Sequence, residues 1–144
     1  MNTRSLVALA TLAAASAAHA APQCTQQTTR GTWMYTCEGT LPAPSPTPTR
    51  ILGTCTGSPS GYFTCAGSVN LGGQIIAQGL IGQAINLPNC TGTISYAQTL
   101  GGAPAGTLDI QYVISEGGGA INGLPVNSGG VLACVLKRIS IMSD

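Results

Sequence analysis

The chain has 144 residues, of which five are basic, four acidic and one a histidine. So sparse a supply of charge excludes the basic stripe that nucleic acid requires and offers nothing to an acidic membrane surface. It also leaves little repulsion between copies, which favours association.

Residues 1–20 read as a secretory signal. Arg4 supplies a positive start, Leu6 to Ala18 forms a short apolar stretch, and Ala18-His19-Ala20 fits the small-x-small cleavage pattern. The apolar stretch is shorter than the roughly 20 residues a membrane span needs. Cleavage after Ala20 is expected, in a bacterial exported protein that is secreted or periplasmic and keeps no membrane span. The cut removes His19, the sole histidine, together with Arg4. Basic Arg30, Arg50, Lys137 and Arg138 then balance acidic Glu38, Asp109, Glu116 and Asp144.

All six cysteines (Cys24, Cys37, Cys55, Cys65, Cys90 and Cys134) lie beyond the signal. An even set in an exported chain implies three disulfides, though sequence alone does not choose their pairing. Four of them open a recurring Cys-x-Gly-Ser/Thr motif: Cys37-Glu38-Gly39-Thr40, Cys55-Thr56-Gly57-Ser58, Cys65-Ala66-Gly67-Ser68 and Cys90-Thr91-Gly92-Thr93. The glycine is expected to mark where a strand bends away from its staple.

Residues 21–41 form a first unit, an N-terminal hairpin arm. Trp33, Tyr35 and Cys37 share one strand face by the two-residue period, and a Cys24–Cys37 bond would close the hairpin. Proline at alternate positions of 42–49 removes amide donors and fixes φ, so a polyproline spacer is expected there. The arm on this spacer could add a strand to a neighbouring copy.

Residues 50–144 form the β-domain. Its first hairpin repeats the plan of the arm, with Ile51, Gly53 and Cys55 facing Phe63, Cys65 and Val69, and it suits a Cys55–Cys65 bond. Bonds between the two units, such as Cys24–Cys55, are the competing arrangement. In 71–87, Ile76, Leu80, Ala84 and Leu87 match a helical face, but Gly72, Gly73, Gly79 and Gly82 oppose a helix at about 1 kcal/mol each. Strands broken at glycine are favoured.

Further on, Ile94, Tyr96 and Leu100 share a face. Leu108, Ile110, Tyr112 and Ile114 alternate with polar residues as in a half-buried antiparallel strand. A short edge strand fits 121–126. A central strand fits 131–141, with Cys134 left to pair with Cys90. The fold class is all-β: a disulfide-stapled antiparallel sandwich or small barrel carrying the N-terminal arm.

The usual catalytic groups are missing from this inventory. General-base catalysis most often uses histidine, and the processed chain has none. A cysteine nucleophile needs a free thiolate. Lys137, the sole lysine, sits on a strand face as a solvated charge. Asp109 and Glu116 are an odd number of residues apart, so a continuous strand points them to opposite faces, away from the paired carboxyls of a glycosidase. No Cys-x-x-Cys pair or carboxylate-rich loop suggests zinc or calcium. The expectation is no enzyme, no cofactor and no metal.

The chain reads instead as an exported structural protein acting in assembly at the cell surface or outside the cell, its partner another copy in an oligomer or filament. The alternative is a secreted binding module, an inhibitor or carbohydrate binder, with Trp33, Tyr35, Tyr62 and Phe63 as contact aromatics.

Overall fold

The computed structural model describes residues 23–42 and 46–141, with the backbone alone at 116. The expected signal at 1–20, and with it residues 21–22 and 43–45, lies outside them. Eight antiparallel strands follow one another in an up-and-down meander: β1 (Gly31–Leu41), β2 (Thr47–Gly57), β3 (Tyr62–Leu71), β4 (Gln74–Asn86), β5 (Thr91–Leu100), β6 (Ala103–Ile114), β7 (Ala120–Pro125) and β8 (Val131–Ser140). β8 pairs with β1, so the sheet closes into a barrel.

Closure explains the two-residue burial pattern. Inward positions carry Trp33, Tyr35, Ile51, Phe63, Val69, Leu80, Ile94, Tyr96, Ile110, Tyr112, Ile121 and Leu136, all buried. An eight-stranded barrel is just narrow enough for side chains to fill it, and these do. Cavities left among the core side chains measure only about 20 Å³. The interior is thus a core with no room for a ligand.

Two disulfides lie inside. Cys37 and Cys134 are register partners on β1 and β8, with Cα atoms 4.0 Å apart, so this bond staples the seam where the barrel closes. Cys55 and Cys65 are register partners on β2 and β3, as the hairpin spacing suggests. The third bond joins Cys24 to Cys90. The expected Cys24–Cys37 and Cys90–Cys134 pairs are therefore replaced. Cys37 does face inward, but what it meets is the last strand, brought alongside by closure. Three disulfides with no free cysteine among the described residues suit an oxidising, periplasmic or extracellular environment.

The arm and spacer also give way. β1 is hydrogen-bonded on both sides, and Thr47, Pro48 and Thr49 already pair with Leu41, Thr40 and Gly39. Pro48 thus sits within the β1–β2 ladder. A closed sheet has no edge at β1 to lend to a neighbour by strand addition. β4 runs unbroken through Gly79 and Gly82, and β7 lies between β6 and β8, so it is no edge strand.

The glycines of the repeated motif serve a different purpose from bending. Cys65 and Gly67, two residues apart on β3, both face inward, and the glycine leaves room there. A Cβ at Gly67 would lie 2.5 Å from the Tyr35 hydroxyl, and one at its cross-strand partner Gly53 would lie 2.6 Å from the Tyr35 ring. A Cβ at Gly92 would likewise lie 2.5 Å from the Tyr112 ring. Aromatic rings lying over glycine pairs are a known way to fill a barrel. The Tyr35 hydroxyl then donates to Gln78 Oε1 at 3.0 Å.

Burial pushes Tyr35 and Tyr112 up to about 12, and it raises Tyr96 as well, reinforced by its neighbours Tyr112 and Tyr35. In the unfolded chain a tyrosine ionises near about 10. Above that pH the unfolded chain holds fewer protons than the folded one, so stability falls as pH rises. Urea midpoints are expected to be insensitive to these groups below about pH 10 and to drop steeply between about 10 and 12. A midpoint that stays level across this window would contradict the buried placement of the three rings.

Candidate functional site: an uncharged groove on the outer wall

Three of the four aromatics expected to contact a ligand are core. Trp33 is 0% exposed, and Tyr35 and Phe63 are also buried, each at an inward position. They fill the barrel and cannot stack on a ligand outside it. Only Tyr62, 53% exposed, remains on the surface. It opens a lateral row across the outer wall in which Tyr62 pairs with Gln83, Gln83 with Ser95, and Ser95 with Asp109.

The wall around this row has an unusual charge distribution. Between Arg50 and Asp109 the chain carries no charged side chain, and this stretch supplies all of β3, β4 and β5. Apart from Asp109 on β6, charged side chains of the described strands lie on the other side of the barrel. Glu38 on β1 pairs with Arg50 on β2 at 3.7 Å, both well exposed, and Lys137 and Arg138 lie on β8.

A groove of about 430 Å³ runs along β5 on the uncharged side. One wall is Ile85 and Leu87, from the end of β4 and the turn after it. The other is Val113 on β6 and Leu124 on β7. Thr91, Gly92 and Thr93 make a low floor, because β5 bears only small side chains there. Ile85 and Leu124 are each 59% exposed despite their size. Outward positions of a strand usually go to polar residues, so apolar ridges on both sides of a groove are the mark of a contact surface.

The groove continues into a second depression of about 280 Å³ that shares Ile85, Thr93 and Gln111 with it and ends on Asp109. The Asp109 carboxylate is held on both oxygens. Ser95 Oγ donates to one at 2.5 Å and Asn127 Nδ2 to the other at 2.9 Å. Asn127 also extends the ladder beyond the short β7: its Oδ1 accepts from the Asp109 N–H at 2.8 Å, and its Nδ2 donates to Thr107 O. These bonds occupy Asp109 structurally and fix the polar end of the groove. Among the described residues, no three His, Cys, Asp or Glu side chains gather as a metal site would require.

Lys137 points outward on β8, as its strand-face position implies. The groove residues Ile85, Leu87, Val113 and Leu124 escaped the sequence reading. One signal was available: in strands that alternate cleanly, an isoleucine or leucine at an outward position is the exception. It was hidden in β4 because Ile76, Leu80, Ala84 and Leu87 also fit a helix. No family model, curated protein or solved structure matches this chain.

Proposed function

We propose that the protein is an exported, non-enzymatic structural component that associates with copies of itself through the outer groove. The observation that carries this reading is the groove itself: two apolar ridges separated by the small residues of β5, with the Ile85–Leu87 ridge and the floor drawn from the stretch without charge between Arg50 and Asp109. Such a surface complements itself. Turned about a two-fold axis, the Ile85–Leu87 ridge of one copy lies in the groove of the other, the isologous arrangement commonest among oligomers. The wall offers a differently charged partner nothing to select, whereas the opposite side, with Glu38, Arg50 and Lys137, is suited to water. Three disulfides and the leader pattern of 1–20 support export.

Light scattering coupled to size-exclusion chromatography tests this. The expected result is a dimer that becomes monomeric in Ile85→Asp and Leu124→Asp but persists in Val131→Asp, whose apolar side chain is exposed on β8 away from the groove. A wild-type protein that stays monomeric at every concentration overturns the reading.

A second reading, a secreted binding module, keeps one specific support. Exposed Tyr62 stands in a row with Gln83, Ser95 and Asp109, an aromatic beside polar groups as in carbohydrate sites. Saturable binding of a neutral oligosaccharide, lost in Tyr62→Ala, would favour it over assembly.

A further inference from the structure

The three disulfides differ in what surrounds them. Cys37, Cys134, Cys55 and Cys65 are buried on inward faces of β1, β8, β2 and β3. The Tyr96 hydroxyl lies 3.9 Å from Cys65 Sγ. A thiolate must reach a sulfur to exchange with it, so access decides which bond reacts. The barrel wall denies access to these two.

Cys24–Cys90 lies at the end of the barrel, where Cys24 is buried like the other four, at 8% exposure, so that access rests on its partner. Cys90 is half-buried in the turn between β4 and β5, and the adjoining Gln23, Thr25, Pro88 and Asn89 are exposed. Cys90 is also the one non-glycine among the described residues at positive φ, 64°. That conformation is unfavourable for a residue with a Cβ and persists only where surroundings hold it. Here the Cys90 N–H donates to Leu87 O at 2.9 Å and its carbonyl accepts from the Ile114 N–H at 2.8 Å.

The bond ties down a cap. Residues 25–29, including the 3-10 turn Gln26–Thr29, lie across the barrel end, and Thr29 is fully buried against it. Asn86 at the end of β4 is the hub. Its N–H donates to Gln26 Oε1 at 2.6 Å, its Nδ2 donates to Thr25 O at 2.8 Å, and its Oδ1 accepts from the Tyr112 hydroxyl at 2.5 Å. Gln26 Nε2 donates to Ala84 O at 2.7 Å. From the other side the Trp33 indole N–H donates to Thr29 O at 2.9 Å, while Arg138 donates to Thr28 O and lies 4.6 Å from the centre of the Trp33 ring. These are all polar contacts of one short segment, so apart from the disulfide nothing covalent holds the cap to the turn it covers.

We propose that Cys24–Cys90 is a thiol-exchange site, a latch that a thiol reductant opens while Cys37–Cys134 and Cys55–Cys65 keep the barrel closed. A thiolate of the reductant attacks one sulfur of the bond, forming a mixed disulfide and releasing the other as a thiolate that takes up a proton. A second thiol of the reductant then displaces the first sulfur. The products are the Cys24 and Cys90 thiols and the oxidised disulfide of the reductant, which has supplied two electrons and two protons. Any disulfide oxidant of the same class reverses the step. With the latch open, only its backbone hydrogen bonds hold Cys90 at positive φ, and the cap exchanges between docked and undocked positions over Trp33. The inference is independent of the assembly reading.

Graded treatment of the wild-type protein with dithiothreitol, followed by alkylation and peptide mapping, tests the site. Acrylamide quenching of Trp33 and amide exchange at 24–30 test the consequence. Expected are alkylation of Cys24 and Cys90 before any other cysteine, increased quenching of Trp33 and loss of amide protection at 24–30, with protection in the strands retained. The variant Cys24→Ser/Cys90→Ser should show the same loss without reductant. Loss of all three bonds together overturns the proposal, as does selective reduction that leaves Trp33 quenching and cap protection unchanged.

Discussion

Replacing Cys37 and Cys134 together by alanine is expected to destabilise the barrel by about 4–5 kcal/mol, and replacing Cys55 and Cys65 by only about 3 kcal/mol. Both bonds are buried and both join register partners, so their local surroundings are similar. They differ in the chain they enclose: sequence separations of 97 and 10. In the chain-entropy description, cross-linking the longer loop removes more freedom from the unfolded chain. The Cys37–Cys134 bond also holds the one strand pairing that hairpins cannot supply. β1 and β8 come from opposite ends of the sequence, whereas every other pairing joins consecutive strands. Urea unfolding of the two double variants measures the difference. Equal losses, or a larger loss for Cys55 and Cys65, would show that the seam does not depend on its staple.

Trp33→Ala is expected to cost about 3–5 kcal/mol, a large share of the 5–15 kcal/mol typical of a folded domain. Trp33 is wholly buried, so the truncation leaves a cavity in the first strand's inward row. It also deprives Thr29 O of the indole donor and Arg138 of the ring beneath it. The damage should therefore extend to the cap. Amide exchange at 24–30 should accelerate in Trp33→Ala more than in Trp33→Phe, which retains a ring under Arg138. A Trp33→Ala protein with wild-type stability would mean that the indole is not the floor on which the cap sits.

The strands were legible because alternation is a local property. Leu108, Ile110, Tyr112 and Ile114 announce an inward row whatever the fold, and so do Trp33, Tyr35 and Cys37. The Cys55–Cys65 bond was legible for the same reason, since a hairpin brings its two halves together. Closure was not. Nothing near Cys37 says that its partner lies in the last strand, and a hairpin bond to Cys24 is the nearest local solution. The same blindness made an arm of β1, because its second neighbour is β8. Proline at alternate positions argued for a spacer, yet Pro48 opposes Thr40 in the ladder, one pair from the turn of the β1–β2 hairpin. The role of the motif glycines needed the rings of Tyr35 and Tyr112, which lie over them from neighbouring strands.

For the groove, the low charge of the chain was visible from composition. Its concentration on one wall follows from the order of the strands. Because the meander keeps sequence neighbours adjacent, an uncharged run becomes an uncharged side. The aromatics misled in the opposite sense. Two pairs of rings, Trp33 with Tyr35 and Tyr62 with Phe63, offered candidate contacts, but the period of the strand sends Trp33, Tyr35 and Phe63 inward and leaves only Tyr62 out.

The measurement closest to the centre of this account is the disulfide map of the unreduced protein, read by proteolysis and mass spectrometry. The expected map is Cys24–Cys90, Cys37–Cys134 and Cys55–Cys65, with the first strand bonded to the last. Recovery of Cys24–Cys37 or Cys90–Cys134 would contradict the closed barrel, and with it the latched cap and the outer wall on which the groove is built.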